Sequence, residues 1–349
     1  MSTNPIRIGL VGLGRAGHGM HMEELRPRSD KFQFYAVCDI IPERCEPFVK
    51  EFGSKAYTSI EELIADPEVE IVSIATRSCD HVKHAKMALL AGKDVMLEKP
   101  FAPTVEEARE LIALGSEPAG PRLFMRHNRR LEYGFCQVND IIDSGILGDV
   151  YEIKLTRNGY GRRADWQTIK EFNGGLIMNW GPHIIDHAIR FCGGDWKKLY
   201  TDLKHVVAAG DAEDHIKLVF TGVNDRIVDM EMSNGVALPT PQYMIYGTRG
   251  TLISENDGFR MRYIDPSIRL KKLEADPATP GTNPDFGAHE ELKWIEETVP
   301  FDGPGDGTPR IWDSLYESYR NGKPYIVPLH QALKVVEVIE KAKEGTIFA

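Results

Sequence analysis

Apolar runs alternate with amphipathic stretches through the first 127 residues of the chain. The runs that end at glycine or polar residues, as buried parallel strands do, are 6–12, 33–38, 69–76, 93–100 and 122–128. The stretches with helical periodicity follow the first run as far as residue 26 and then occupy 42–53, 59–67, 81–92 and 104–116. This alternation predicts a doubly wound parallel sheet.

The pattern changes after about residue 130. One more helical stretch is followed by the strand-like stretches YEIKLTRNG, KKLYTDLKHVVAAG, HIKLVFTG, RIVDMEMSN, PQYMIYGTRGTLIS and RMRYID, and two helical stretches close the chain. An α/β + α+β protein is predicted, with a second domain at 128–349 built on a large, mostly antiparallel open sheet. The closing helices are candidates to pack back on the first domain.

Proline and glycine are frequent in the segment 276–310, from DPATPGTNPDFG to FDGPGDGTPR. This composition favours a loop-dominated surface excursion. A mobile flap or an oligomer contact is the alternative interpretation.

Composition narrows the class of protein further. A formal net charge of −10 argues against nucleic acid or an anionic membrane as the main partner, because both require basic patches. Five widely spaced cysteines favour a reducing compartment and argue against structural zinc. Without a signal peptide pattern or a run of about 18 apolar residues, we expect a cytoplasmic protein. Open antiparallel sheets commonly pair between subunits, which predicts a homodimer or homotetramer.

A glycine-rich loop follows the first predicted strand. It consists of Gly12, Leu13, Gly14, Arg15, Ala16 and Gly17, the G-x-G-x-x-G spacing. The three glycines permit a tight turn, close approach of a pyrophosphate and close packing of helix on strand, and the helix N-terminus favours phosphate charge. The loop predicts a Rossmann domain at residues 1–127. The alternative is a glycine turn that binds nothing.

Asp39 ends the second predicted strand, at the distance from the loop where an acidic residue binds the ribose hydroxyls of a dinucleotide. Its carboxylate would repel a 2′-phosphate, so NAD is favoured over NADP. Arg44 lies close in sequence and keeps NADP as the alternative.

Further motifs follow the later predicted strands. They are Glu98-Lys99-Pro100, Asn128-Arg129-Arg130, SGILGDV, GGLIMNWGPHIID at 174–186 and YGTRGT at 246–251. Together they resemble the glucose–fructose oxidoreductase / inositol dehydrogenase / MocA-like (Gfo/Idh/MocA) family over nearly the whole chain. The resemblance implies an NAD(P)-dependent oxidoreductase that transfers a hydride to or from a secondary hydroxyl or keto group of a sugar, inositol or related polyol.

The resemblance places Lys99 at the reacting hydroxyl, as a binding or proton-relay group. Lys99 lies at the C-terminal end of a strand, where open α/β sheets bind ligands, and burial would lower the pKa of its ammonium. A solvated lysine is the alternative. Glu98 is expected either to pair with Lys99 or to point to the ribose, and Pro100 is a candidate for a cis peptide.

His183 and Asp186 are three positions apart at an apolar helix start, so they share one face. With the resemblance, this predicts His183 as the catalytic base and Asp186 as its partner or as a substrate ligand. A histidine bonded to the backbone is the alternative. Asn179 departs from the resemblance, because many members carry Asp there and an amide cannot accept a proton. Either Asn179 binds a substrate hydroxyl, or His183 works with Lys99 alone.

The turn after the third predicted strand carries Thr76, Arg77 and His81. The resemblance places this turn near the nicotinamide, which makes all three candidates for cofactor binding. For Arg77, a role as an ordinary loop arginine is equally weighted.

The seam between the domains is the expected position of Asn128, a cofactor candidate, and Arg129, a substrate candidate. Trp166 suits stacking on a sugar, with burial in the core as the alternative. Residues 213–215, Glu-Asp-His, alternate in direction along a strand and cannot share one ion, so no metal site is expected.

Two further functions remain open at this point. One is a redox-neutral, NAD-dependent glycoside hydrolase or lyase, which the sequence does not separate from a dehydrogenase. The other is a dinucleotide-binding regulator without turnover, which Asn179 favours and which Lys99 and His183 argue against.

Overall fold

Two β-sheets organise the chain, whose computed structural model describes residues 4–275, 277 and 290–349. The strands of the first sheet are β1 (Ile6–Val11), β2 (Phe32–Cys38), β3 (Lys55–Tyr57), β4 (Ile71–Ile74), β5 (Asp94–Leu97) and β6 (Leu123–Met125). They pair in parallel in the order β3-β2-β1-β4-β5-β6. The predicted doubly wound parallel sheet is therefore confirmed.

Helices cover this sheet between successive strands. They are a π-helix at Gly17–Met22 that continues into α1 (Glu23–Leu25), then α2 (Glu46–Phe52), α3 (Ile60–Ala65), α4 (His81–Leu90) and α5 (Val105–Leu114). The hydroxyl of Thr104 accepts from Glu107 N at 3.2 Å and caps α5. The sequence pattern does not predict β3, because this edge strand is three residues long and two of them are exposed.

The strand order reverses between β1 and β4, at the centre of the first sheet. Ligands of open α/β sheets bind at such a point, outside the carboxyl ends of the strands. The glycine loop follows β1, Thr76 follows β4 and Lys99 follows β5. Three of the candidate segments therefore lie along one edge of the sheet.

A second, mostly antiparallel sheet follows α6 (Tyr133–Asp143). Its strands are β7 (Val150–Asn158), β8 (Trp196–Lys204), β9 (His215–Gly222), β10 (Ile227–Ser233), β11 (Tyr243–Gly247), β12 (Gly250–Glu255), β13 (Gly258–Ile264) and β14 (Trp294–Pro300). They lie in the order β14-β13-β12-β11-β7-β10-β9-β8, and only the pair β7 and β10 is parallel among the described residues. The predicted open antiparallel sheet is confirmed.

The strand β14 corrects the interpretation of 276–310 as loop-dominated. It pairs with β13 along its whole length but is largely exposed, so its sequence, WIEETVP, has no clear apolar alternation. The segment also includes residues 276 and 278–289, which lie outside the described residues, and the flap or oligomer contact stays a prediction.

The remaining helices are α7 (Leu176–Asn179), α8 (Gly181–Phe191), α9 (Arg310–Asn321) and α10 (Leu329–Lys343). Each sheet has its own hydrophobic core, and α10 contributes to both. Ala332 and Val336 pack in the core of the first sheet, whereas Val338 and Ile339 pack in the core of the second. This helix fixes the position of the two sheets relative to each other.

Among the described residues, no helix combines the length and the apolar character that crossing a bilayer requires. The second sheet exposes the side chains of Tyr151, Tyr200 and Ile227. Association of subunits through this sheet stays a prediction.

Candidate active site

The glycine loop has the backbone that a dinucleotide requires. Gly12 has a φ of +90°, and a Cβ on it would lie 2.7 Å from the Ala75 carbonyl group. A Cβ on Gly17 would overlap the carbonyl oxygen of Gly12, while Gly14 faces open space. The loop therefore leaves room beside Gly14 at the N-terminus of the following helix, where free N–H groups bind phosphate.

Asp39 lies directly beside this loop. Its two carboxylate oxygens accept hydrogen bonds from Leu13 N at 2.7 Å and Ile41 N at 2.9 Å. Arg44, which is half exposed, approaches the same carboxylate at 3.5 Å. The acidic group predicted to bind ribose thus lies at the loop, with a guanidinium available to a 2′-phosphate.

The turn after β4 is tied to the segment after β5 by His81. The buried His81 ring lies 2.8 Å from the carbonyl oxygen of Pro100 and 3.2 Å from that of Thr76. These contacts give His81 a structural role, and its contact with the cofactor stays a prediction. Arg77 approaches Asp80 at 3.4 Å and stacks over the Phe172 ring. The turn therefore also contacts residues that follow β7.

Glu98 is buried in an ion pair, which is neither of the two arrangements predicted for it. Its carboxylate accepts from Arg126 at 2.6 Å and lies 2.9 Å from His21 Nε2. Burial opposes ionisation, but Arg126 and His21 outweigh it and hold the pKa of Glu98 well below its ordinary value. Glu98 therefore fixes the backbone before Lys99, and the Lys99–Pro100 peptide is cis, as considered from the sequence.

Lys99 reaches from the first sheet to α7. Its ammonium donates to the backbone oxygen of Asn179 at 3.0 Å and to the Asn179 side-chain oxygen at 3.2 Å. Burial, together with the positive charges of Arg126 and Arg129, lowers the pKa of Lys99 to about 8 in spite of Glu98. The solvated lysine is excluded.

His183 lies in the first turn of α8, next to this contact. It is buried, and its Nδ1 has no hydrogen-bond partner among the described residues. Burial, with the nearby charges of Lys99 and Arg129, lowers the pKa of His183 well below 6.5. The imidazole is therefore neutral near pH 7 and has a free ring nitrogen.

Asp186 does not contact His183 as predicted. Its two oxygens bind the guanidinium of Arg130, with one distance of 2.9 Å, and Arg130 holds the pKa of Asp186 down although burial would raise it. The pair joins α8 to the turn Asn128–Leu131, and each oxygen of Asp186 already has a partner; contact of Asp186 with a substrate stays a prediction. His187 stacks on Phe135 with ring centroids 3.8 Å apart and so packs in the core of the second domain.

The start of α7 is held by a buried carboxylate. Glu213 accepts from Ile177 N at 2.9 Å, and its own backbone oxygen accepts from Leu176 N. Gly175 has a φ of +107°, and a Cβ there would overlap the Glu213 carboxylate. Glu213 therefore positions the helix that carries Asn179. Among the described residues, no group of three or more His, Cys, Asp or Glu side chains is arranged to bind a metal ion.

The remaining candidates surround this centre. Asn128 is buried after β6, and Trp166 is half-buried in a short turn whose Gln167 approaches Asn179 Oδ1 at 3.5 Å. Arg129 stacks over the Trp180 ring, with Cζ 4.4 Å from the ring centroid.

Three side chains at this site were not identified from the sequence: His127, Arg157 and Trp180. His127 is buried, and neither of its ring nitrogens has a partner among the described residues. The Cζ of Arg157 lies 3.2 Å from the Trp180 ring centroid. Position at the carboxyl end of β6 and β7 is the one signal that singles out His127 and Arg157.

Family models match both parts of this arrangement. Residues 6–122 match an oxidoreductase family with an NAD-binding Rossmann fold, and residues 135–253 match the GFO/IDH/MocA C-terminal domain. The chain belongs to the Gfo/Idh/MocA oxidoreductase family. The predicted NAD(P)-binding Rossmann domain is thereby confirmed, and the redox-neutral and regulatory alternatives gain no support.

Relatives within the Gfo/Idh/MocA family match over almost the full length. The chain is 26% identical to the uncharacterised oxidoreductase YhhX of Escherichia coli, over 97% of this chain and 96% of that protein. It is 25% identical to scyllo-inositol 2-dehydrogenase (NADP(+)) IolW of Bacillus subtilis, over 99% and 94%. The structure of the putative oxidoreductase yvaA from Bacillus subtilis has the same fold, with a TM-score of 0.83 at 21% identity over 99% and 97% of the chains.

Proposed function

We propose that this protein is an NAD(P)-dependent dehydrogenase that acts on a secondary hydroxyl or keto group of a sugar, inositol or related polyol. The observation that carries the proposal is the contact of the partly buried Lys99 with Asn179, near the neutral imidazole of His183. A cation and a neutral base side by side are what removal of a hydroxyl proton requires. The relative named as an inositol dehydrogenase supports the substrate class.

The dinucleotide fits the first sheet. The open space at Gly14 accommodates the pyrophosphate, and Asp39 and Arg44 lie where the adenosine ribose is expected. The bound cofactor supplies the hydride acceptor for oxidation or the hydride donor for reduction. Arg15, Thr76 and Asn128 remain proposed contacts at the same edge.

His183 takes the hydroxyl proton in our proposal. Its imidazole is neutral near pH 7, and Asp186 does not occupy it, because Asp186 is bound to Arg130. The Lys99 ammonium donates to the same oxygen and stabilises the negative charge that develops as the proton leaves. Asn179 holds Lys99 in place through its two oxygens, which is a positioning role.

A panel of sugars and polyols tests this proposal, with NAD and NADP supplied separately and formation of the reduced nucleotide measured by absorbance. We expect turnover of at least one member, and loss of that activity in Lys99→Ala and in His183→Ala. Lys198→Ala and His205→Ala, at exposed positions of the second sheet and its following loop, are matched controls and should keep the activity. Full activity in both active-site variants would refute the assignment.

A further inference from the structure

Two arginines converge on one tryptophan beside the proposed catalytic pair. The Cζ atoms of Arg157 and Arg129 lie 3.2 Å and 4.4 Å from the Trp180 ring centroid. The Trp180 ring in turn lies 5.9 Å from the His183 ring, centroid to centroid. This arginine–tryptophan cluster, Arg129, Arg157 and Trp180, therefore lies one side chain away from His183.

The strand β7 positions Arg157. Side chains alternate along a strand, so Arg157 shares a face with Ile153 and Leu155, both of which are fully buried in the core of the second sheet. Arg157 continues this face past the end of the core, toward Trp180, which lies between α7 and α8. A guanidinium on a core-facing position is costly to retain without a compensating interaction.

The charges around the cluster are unbalanced. Among the described residues, no carboxylate pairs with Arg157, and its pKa is lowered to about 10 by burial and by the like charge of Arg129. Two buried carboxylates of the site are already occupied, Glu98 by Arg126 and Asp186 by Arg130. Within the described part of the chain, Arg129 pairs with Glu132. Stacking on Trp180 offsets only part of the cost of removing Arg157 from water.

The surplus of positive charge also includes Lys99, whose ammonium binds two neutral oxygens of Asn179. This surplus stands out in a chain whose formal net charge is −10. A neutral polyol would leave Arg157 without a counter-charge in the closed site. An anionic oxygen group would supply the counter-charge and match the planar donors of the guanidinium.

We propose that the substrate carries an anionic oxygen group, a carboxylate or a phosphate, which Arg157 binds together with Arg129. This inference rests on the proposed function and narrows it to acidic sugars or polyols. The anionic group lies at the cluster, and the reacting carbon lies at Lys99 and His183. Arg157 is then a residue that determines specificity and takes no part in proton transfer.

Calorimetric titration of the NAD-loaded protein tests this inference, with D-glucuronate, D-glucose 6-phosphate and D-glucose as probes. We expect at least one anionic probe to bind about tenfold more tightly than glucose, a difference of about 1.4 kcal/mol. Tighter binding of glucuronate would identify a carboxylate, and tighter binding of the phosphate ester would identify a phosphate. Equal binding of all three, or binding of neither anionic probe, overturns the inference.

The variant Arg157→Gln should lose the preference for the anionic probe while glucose binding stays the same. Arg260→Gln, at an exposed position of β13, is the matched control and should keep the preference. If Arg157→Gln does not fold, the test uses the unaltered protein instead, and sulfate should compete with the anionic probe for binding. Absence of competition counts against the inference. Turnover of neutral sugars with equal binding of all probes would leave the dehydrogenase proposal intact and refute only the anionic substrate.

Discussion

Lys99 and Asn179 join the parallel sheet to α7 of the second domain. The lysine follows β5 of the parallel sheet, the asparagine ends α7, and the ammonium donates to both oxygens of the asparagine. Because Asn179 is neutral, it orients Lys99 without raising its pKa, and burial keeps that pKa at about 8. The pH dependence of the activity should report this relationship.

For oxidation of an alcohol, kcat/KM should be level around pH 7 and fall above about pH 8. The pKa of Lys99 is lowered to about 8, so the ammonium that our mechanism requires is lost above that pH. His183 is neutral on both sides of this limit. Lys99→Arg keeps its charge at high pH and should remove the fall; a fall at the same pH in this variant would contradict the assignment to Lys99.

Asn179→Asp should move the alkaline fall of kcat/KM upward by about one pH unit. A carboxylate beside the ammonium favours the charged form of Lys99 and raises its pKa. The isosteric change preserves the oxygen that accepts from Lys99. The measurement is kcat/KM as a function of pH for the unaltered protein and for Asn179→Asp. Profiles that coincide would show that Lys99 does not set the alkaline limit.

Arg126→Met should destabilise the protein by about 3–5 kcal/mol in urea unfolding near neutral pH, because Glu98 would be left as a buried charge without its main partner. The exposed pair of Lys197 and Asp225 is the control, and Lys197→Ala should change little. Since the pKa of Glu98 is lowered on folding, the pair stabilises fully above the unfolded value of about 4.3 and progressively less as the pH falls below it. A change no larger than in the control would contradict this account of the pair.

Gly175→Ala should reduce the free energy of unfolding by about 1–3 kcal/mol. It should also reduce kcat more than it reduces the affinity for the dinucleotide. The φ of +107° and the Glu213 carboxylate leave no place for a Cβ, so the start of α7 has to move and Asn179 moves with it. Gly159→Ala, where a Cβ meets no atom, is the control. Thermal unfolding and kinetics that match those of the control would exclude a positioning role for this segment.

The features that were predicted correctly from the sequence are those that depend on residues close together in the chain. The glycine loop and the alternation of strands and helices depend on local spacing and a fixed handedness of connection. Lys99, Asn179 and His183 were singled out by motifs, and the structure brings Lys99 and Asn179 into contact.

The features that were missed depend on pairs far apart in sequence. Arg126 binds Glu98 across 28 positions and Arg130 binds Asp186 across 56, and no spacing rule connects either pair. His183, one of the two alternatives predicted for contact with Asp186, is therefore not the partner observed. From the sequence, Arg157 is an ordinary strand residue, because its contact with Trp180 is visible only in the structure.

The most direct test of the central claim is a side-by-side measurement of nucleotide affinity and kcat/KM in Lys99→Ala and His183→Ala. The account predicts that both variants bind the dinucleotide nearly as well as the unaltered protein, while kcat/KM for the best substrate falls by about 10²–10⁴. Retained kcat/KM in both variants would contradict it, and so would loss of nucleotide binding in proportion to the loss of activity.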